Sequence, residues 1–441
     1  MTPDPDQHTA PHRLPPLAAD HFDVGSTEDS LERLVVAARD AGGLFRIHAP
    51  GRGSDTWIVN NPADIKRVLV TNHRNYTKGV GLDRVRILLG NGIMTSEGEP
   101  WRRQRRMIQP FFHRRVIEQF GALVDRCVEE RLARWQEAAA RGVTIDITDE
   151  MSELTLDIVV GSIFGTDVAW LTAQTGVNPF QIVTEQSARN LQFAYKFRSL
   201  TRLVAEVAEK RRAANEEHFD FLAMLMAARD KDTGQPMSER ELLDEVMTLV
   251  VAGHETSASA LSWAWYLLAT HPAALARLQA EVDGAAPATG LSFQGSENFR
   301  YTQAVLQEAM RLYPPGWLLS RRTIAPDMLS GFPVPAGADV MLSPYLIHRH
   351  PAYWEQPEEF RPERFIDAAS DPRDAWIYIP FAAGPRHCVG ENFAMYEMIV
   401  HMTRVVRDWR LEHVDEGPIE VEAAINLRAR RGLRMRLVPR R

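Results

Sequence analysis

Cysteine is nearly absent from this chain: Cys127 and Cys388 are the only two among 441 residues. So few exclude a disulfide framework and suit a reducing compartment, and any special sulfur chemistry must fall on a single thiol. An excess of positive charge is lacking too. The 51 lysines and arginines are outnumbered by 58 aspartates and glutamates, for a net charge of -7, which leaves no electrostatic footprint for nucleic acid. The N-terminus, M-T-P-D-P-D-Q-H-T-A-P-H-R-L-P-P, carries two early aspartates where a signal peptide needs an apolar core. The most apolar later stretch, residues 247–269, is interrupted by Gly253, His254 and Glu255. A charge at mid-bilayer is expensive, so this stretch reads as a buried helix and not a membrane span. The expectation is a cytoplasmic protein with no membrane anchor.

What is present is the balance of an ordinary globular enzyme, 45% apolar and 25% charged residues, enough to bury a substantial core. Residues 1–20 are proline-rich and read as a flexible lead, followed by a single domain over 21–441 with no repeat or linker to divide it. Residues 44–47 and 56–59 are short strand-like runs about a Gly51-Arg52-Gly53 turn, and Pro62 opens a helical stretch through Val70. Helical spacing of apolar residues then dominates 101–140, 145–164, 182–231 and 238–270. Strand patterns return at 340–343 and in the last twenty residues, where I-N-L-R-A-R-R-G-L-R-M-R-L-V alternates about Gly432 and predicts a terminal hairpin with its arginines on the wet face. The fold class is mainly α with small β-sheets.

The segment that carries chemistry is Phe381-Ala382-Ala383-Gly384-Pro385-Arg386-His387-Cys388-Val389-Gly390. A helix with one apolar face follows it, so the cysteine stands just before a helix N-terminus. The free N–H groups and positive dipole end there stabilise a thiolate, the form a soft metal ligand must take. Gly384 and Gly390 permit a tight loop and close approach of a flat cofactor, and Arg386 can neutralise a carboxylate near the sulfur. Cys127, on a helix beside Val124, reads by contrast as an ordinary core cysteine.

This segment resembles the haem-binding loop of the cytochrome P450 family, F-x-x-G-x-R-x-C-x-G, with every fixed position filled. Further motifs stand in the family's order over roughly residues 20–441. The resemblance implies a triangular helical prism with a long central oxygen-binding helix and haem b ligated by Cys388. It also implies a buried latch of Glu308, Arg311 and Arg364, in which one carboxylate is shared by two guanidinium forks. Ala252-Gly253-His254-Glu255-Thr256 resembles the oxygen-binding segment. Ala252 would then lie against the cofactor, with Glu255 and Thr256 as the acid and alcohol that deliver protons to dioxygen. His254 is either near the distal pocket or a satisfied helix histidine. Trp101, Arg105 and Arg322 resemble contacts to the haem propionates, and with Arg386 they supply three guanidiniums for two carboxylates. His348 fits the family's H-R-x-P element, with no role assigned.

The resemblance further implies that Thr248, Val251, Ala252, Trp317, Leu318 and Leu319 approach the substrate, together with the loop between Gly81 and Met94 and the helical stretch after Gln181. These are mostly apolar and suit a terpenoid, fatty-acyl, polyketide or other lipophilic molecule. The implied activity is insertion of one atom of O2 by hydroxylation or epoxidation. No flavin or nicotinamide segment is recognisable, so the electrons are expected from a ferredoxin or flavodoxin with its reductase. Arg102, Arg103, Arg106, Arg114 and Arg115 are the expected docking surface, although a solvated basic face accounts for the same residues. The rival readings are a haem-thiolate enzyme of atypical chemistry, by oxidative coupling, isomerisation or use of peroxide, and a haem sensor without turnover. Glu255 and Thr256 together weigh against the peroxide-driven kind, and the absence of a recognisable output domain weighs against a sensor.

Overall fold

A computed structural model describes residues 14–184, 191–214, 216–285, 290–366 and 371–440. The chain divides into two compact units. The first is built from Met1–Gly81, Leu318–Glu355 and Pro372–His387, and the second from Leu82–Trp317, Gln356–Asp371 and Cys388–Arg441.

The first unit is organised by a five-stranded sheet. Strands Leu44–Ala49 and Ser54–Val59 form an antiparallel pair in which Leu44 faces Val59, as the two sequence runs predict. The intervening turn needs Gly53, whose φ is +61°, a region open to glycine and strained for other residues. Ser54–Val59 then runs parallel to Asp339–Leu342, and Leu319–Thr323 lies antiparallel on the far side of that strand. Tyr76–Lys78 closes the order against Leu319–Thr323. One sheet face buries Leu44, Trp57, Val59, Val340 and Leu342 together with Ile65, Val68 and Ile379. The helix that Pro62 opens is capped by Asn61, whose side chain accepts from the Asp64 N–H. It is α-helical only to Lys66 and continues as a widened π-type turn over Arg67–Thr71.

The second unit is helical, centred on Glu239–Thr270, a 32-residue helix about 48 Å long at 1.5 Å per residue. Its start is locked by a reciprocal capping box: the Ser238 hydroxyl accepts from the Glu241 N–H, and the Glu241 carboxylate accepts from the Ser238 N–H. The two satisfy donors that a helix N-terminus otherwise leaves open. This central helix packs most extensively on Ile147–Phe164. Leu261, Trp263, Ala264 and Trp265 are all buried, so its apolar character comes from a protein interior. No single helix among the described residues is long and apolar enough to cross a membrane; Ile147–Phe164 with Asp167–Gln174 passes that test only as a pair bent by 113°. The stretch expected to be helical over 182–231 contains Leu191–Ala214 and Phe221–Ala227, while 185–190 and 215 lie outside the described residues.

The C-terminal arrangement corrects one expectation. Leu427–Ala429 does not pair with Arg434–Pro439 across Gly432. It pairs antiparallel with Val421–Ala423, and Arg434–Pro439 pairs with Trp409–His413 and Ile145–Asp146. Gly432, at φ +73°, turns the chain from one sheet into the other, and a Cβ there would meet the Asp146 carboxylate at 1.8 Å. The wet-face reading of the arginines is correct. Leu433, Met435 and Leu437 are buried while Arg434 and Arg436 reach outward to Asp415 and Glu412.

Candidate active site

Cys388 immediately precedes the helix Glu391–Asp408. The side chain has surface open to solvent, but protein packs densely around its other sides and this burial pushes the thiol up. The Glu391 carboxylate adds to the rise, while the backbone N–H groups of Gly390 and Glu391 and the Arg105 guanidinium pull the other way. A sulfur open on one side and met from behind by two helix-terminal donors is placed to be a thiolate ligand. Among the described residues no group of three or more His, Cys, Asp or Glu is placed to hold an ion. A metal on Cys388 must therefore bring its other ligands with it, as a porphyrin iron does. Burial, with a smaller contribution from the Asp157 carboxylate, pushes the Cys127 thiol up to about 12, which makes it inert.

The loop ahead of the cysteine is shaped in the first unit. Gly384 has φ +71°, and a Cβ on it would stand 2.1 Å from the Leu69 carbonyl oxygen. Glycine is demanded here by the π-type turn and the left-handed backbone, a reason that sequence alone did not reveal. Gly390 has ordinary room for a Cβ, with its nearest neighbours at 3.8 Å and beyond. Phe381 lies 6.5 Å from the His387 ring, and Arg386 is half-buried. His348 is buried and accepts the Ile379 N–H at 2.8 Å through Nε2, so it anchors the segment that leads into the loop. Arg322 has an exposed side chain held at 2.8 Å by Asp339 on the neighbouring strand. The strand alternation instead turns Arg321 inward, where it is 8% exposed. The adjacent arginine pair gave no sign of which one would be buried.

In the second unit the latch residues come together. Glu308 accepts from Arg311 Nε at 2.6 Å and Nη2 at 2.8 Å, from Arg364 Nε at 3.1 Å and from the Arg361 N–H at 2.9 Å. Arg311 also donates to the carbonyls of Pro357 and Glu359. Both oxygens of a fully buried carboxylate are thus satisfied, the condition for tolerating such a charge. Trp101 and Arg105 share a half-buried helix face. Burial holds the Arg105 guanidinium below its ordinary value, partly offset by Cys388.

Along the central helix, burial is interrupted at one place. Val251, Glu255 and Thr256 are partly open and Ala252 is exposed, although the residues on either side are buried. These positions, i, i+1, i+4 and i+5, lie on one face, so the helix presents a small window containing an acid and an alcohol. The Thr256 hydroxyl donates to the Ala252 carbonyl at 2.8 Å, satisfying its donor and leaving its lone pairs free to accept. Thr248 is buried against Gly92, where a Cβ would meet its hydroxyl at 2.3 Å. Trp317 is also buried and donates through Nε1 to the Ala424 carbonyl. Leu318 and Leu319 are half-buried in the first unit. His254 is buried, with its Nε2 2.9 Å from the Ser152 hydroxyl on the neighbouring helix. Asn426, part of the alternating run before Gly432 with no role expected from the sequence, donates to Glu255 at 3.0 Å.

The cytochrome P450 family model matches residues 11–194 and 177–426. The chain belongs to the cytochrome P450 family. It is 34% identical over 390 residues to the cyclooctatin synthase of Streptomyces melanosporofaciens, covering 85% of this chain and 84% of that one. It is 31% identical to the cyclooctat-9-en-7-ol 5-monooxygenase of the same organism, over 82% and 81% of the two chains. With the pentalenene oxygenase of Streptomyces avermitilis it shares 28% identity over 88% of each. This P450 is a haem-dependent monooxygenase that draws its electrons from a redox partner and uses O2. The basic surface expected to receive that partner is largely neutralised by the chain itself. Arg102 pairs with Glu99, Arg103 with Glu241, Arg106 with Asp232 and Arg114 with Glu297.

Proposed function

We propose that this P450 hydroxylates or epoxidises a lipophilic terpenoid, in the cytoplasm, with haem b on Cys388 and electrons from a ferredoxin or flavodoxin and its reductase. The observation that carries this reading is the window on the central helix, where two apolar positions, Val251 and Ala252, stand beside Glu255 and Thr256 in an otherwise buried 32-residue helix. The names of the three Streptomyces relatives, a cyclooctatin synthase, a cyclooctat-9-en-7-ol 5-monooxygenase and a pentalenene oxygenase, support the substrate class. The net reaction consumes O2, two electrons and two protons, places one oxygen atom in the substrate and releases the other as water.

Bound haem supplies the oxygen activation, and a thiolate ligand favours cleavage of the O–O bond by donating electron density to the iron. The protein's own residues do the rest. Gly390 and Glu391 would hold Cys388 as thiolate through their N–H groups, while Trp101, Arg105 and Arg386, with Arg322 or its neighbour Arg321, would bind the haem carboxylates. Glu308, Arg311 and Arg364 tie the helix Arg300–Leu312 to the 356–365 segment of the same unit. The apolar window limits water around the substrate. Thr256 accepts a hydrogen bond at its free lone pairs and so keeps a proton-bearing group at the Ala252–Thr256 step. Glu255 exchanges its proton with that group and is reloaded from solvent.

The test is a carbon monoxide spectrum of the dithionite-reduced protein, followed by a screen of sesquiterpenes, diterpenes, fatty acids and macrolides for the ferric spin-state shift. A strongly red-shifted Soret band and shifts confined to the terpenoids are expected. A band typical of histidine-ligated haem would overturn the assignment of Cys388, and shifts from fatty acids or macrolides alone would overturn the substrate class.

A further inference from the structure

The strands Val421–Ala423 and Leu427–Ala429 pair with Ala423 opposite Leu427, so their hairpin has a three-residue tip of Ala424, Ile425 and Asn426. That tip is pinned on both sides. The Leu427 carbonyl accepts from Ser259 Oγ at 2.5 Å and from Trp263 Nε1 at 3.1 Å, and the Ala424 carbonyl accepts from Trp317 Nε1 at 3.0 Å. The Leu427 N–H donates in turn to the Pro315 carbonyl. Glu255, Ser259 and Trp263 are spaced i, i+4 and i+8, about 6 Å per step along one helix face. Three rungs of the central helix therefore bond to the same hairpin, two to its backbone and the first to the Asn426 side chain.

We propose that Asn426 is a positioning residue for proton delivery: the pinned hairpin tip uses its amide to hold the Glu255 carboxyl group in one orientation beside Thr256. This rests on the reading of Glu255 as the proton-exchanging acid. A carboxylate only accepts, so the amide nitrogen must face it, as it does at 3.0 Å. Glu255 is only partly buried, and a glutamate on a helix surface samples several rotamers unless something holds it. The amide engages one carboxylate oxygen, Oε2. Ile425, beside it at the tip, is 47% exposed, so a molecule that displaces the tip also displaces the acid.

The test uses the holoenzyme with a plant-type ferredoxin, its reductase and NADPH. Its probe is the terpenoid giving the largest spin-state shift in the screen above. Product and hydrogen peroxide per NADPH are measured across pH, together with the melting temperature and the probe's dissociation constant by spin shift. Asn426→Ala is expected to lower product per NADPH roughly three- to tenfold, a fraction of what general acid catalysis contributes, with peroxide making up the difference. Probe affinity and melting temperature stay close to the parent. Asn426→Gln recovers part of the loss. Asn426→Asp places a second carboxylate against Glu255, and the alkaline limb of coupling moves up by about one pH unit. Adding Asn426→Ala to Glu255→Gln costs nothing further. Unmoved coupling and an unmoved pH limb in the Asn426 variants, with Glu255→Gln uncoupled, overturn the proposal and leave Glu255 as the acid. So does a fall in melting temperature with an unmoved limb. If Glu255→Gln is itself fully coupled, the reading beneath the proposal fails, and the proposal fails with it.

Discussion

Replacing Glu308 by glutamine tests whether the latch is structural in the sense argued above. The side chain keeps its shape and loses its charge, and one of its two acceptor oxygens becomes an amide donor. Glu308 and Arg311 are fully buried, and Arg364 is 6% exposed at its side chain. Three guanidinium donors and the Arg361 N–H converge on this one carboxylate. In Glu308→Gln at least one of these donors faces an amide N–H, and two guanidinium charges lose this buried counter-ion. Breaking a buried pair from one side costs about 3–5 kcal/mol, a large part of the roughly 5–15 kcal/mol that holds a domain folded. The urea midpoint of the holoenzyme should fall accordingly, and haem should be lost early in the transition. Arg311→Lys keeps the charge but replaces a fork that donates to Glu308 and to the Pro357 and Glu359 carbonyls with a point donor, so it should also destabilise, by less. A Glu308→Gln loss below about 1 kcal/mol, the scale of an exposed ion pair, would refute the reasoning and make the cluster incidental.

Cys388→Ser should fold and still bind haem weakly, but it should give no strongly red-shifted carbon monoxide band; retention of that band would remove Cys388 as the ligand. Gly384→Ala meets both a left-handed backbone and the Leu69 carbonyl. It should destabilise by about 2 kcal/mol or more in a denaturant titration, and a neutral result would mean that the loop has slack. Burial pushes the Glu397 carboxyl from 4.5 up to about 8 despite a hydrogen bond with Ser257. The folded state then holds a proton that the unfolded state releases, so stability falls as pH rises from 4.5 towards 8. Glu397→Gln should remove that slope in urea midpoints measured at intervals across the range, and an unchanged slope would place its origin elsewhere. Among the five arginines of the expected docking face, Arg115 has no acidic partner among the described residues. Arg115→Glu should therefore slow electron transfer more at low salt than Arg102→Glu, and equal effects would mean that the paired arginines still steer the partner.

Local chemistry and helical periodicity were legible in the sequence. The lone thiol before a helix, the interrupted apolar helix with Glu255 and Thr256, the first two strands and the order of the motifs all follow from residue type and spacing along the chain. Tertiary structure decided what depends on which distant segments meet. It turned Arg321 inward in place of Arg322, because strand alternation settles facing only once the register is set against a partner. It separated Leu427–Ala429 from Arg434–Pro439, since two alternating strands cannot reveal which edge each will join. It brought Leu69 against Gly384, and three distant acids, Asp232, Glu241 and Glu297, against the arginines expected to face a partner. Asn426 was invisible for the same reason: a lone asparagine in a short turn has meaning only through what it touches, and Glu255 lies 171 positions away in the chain.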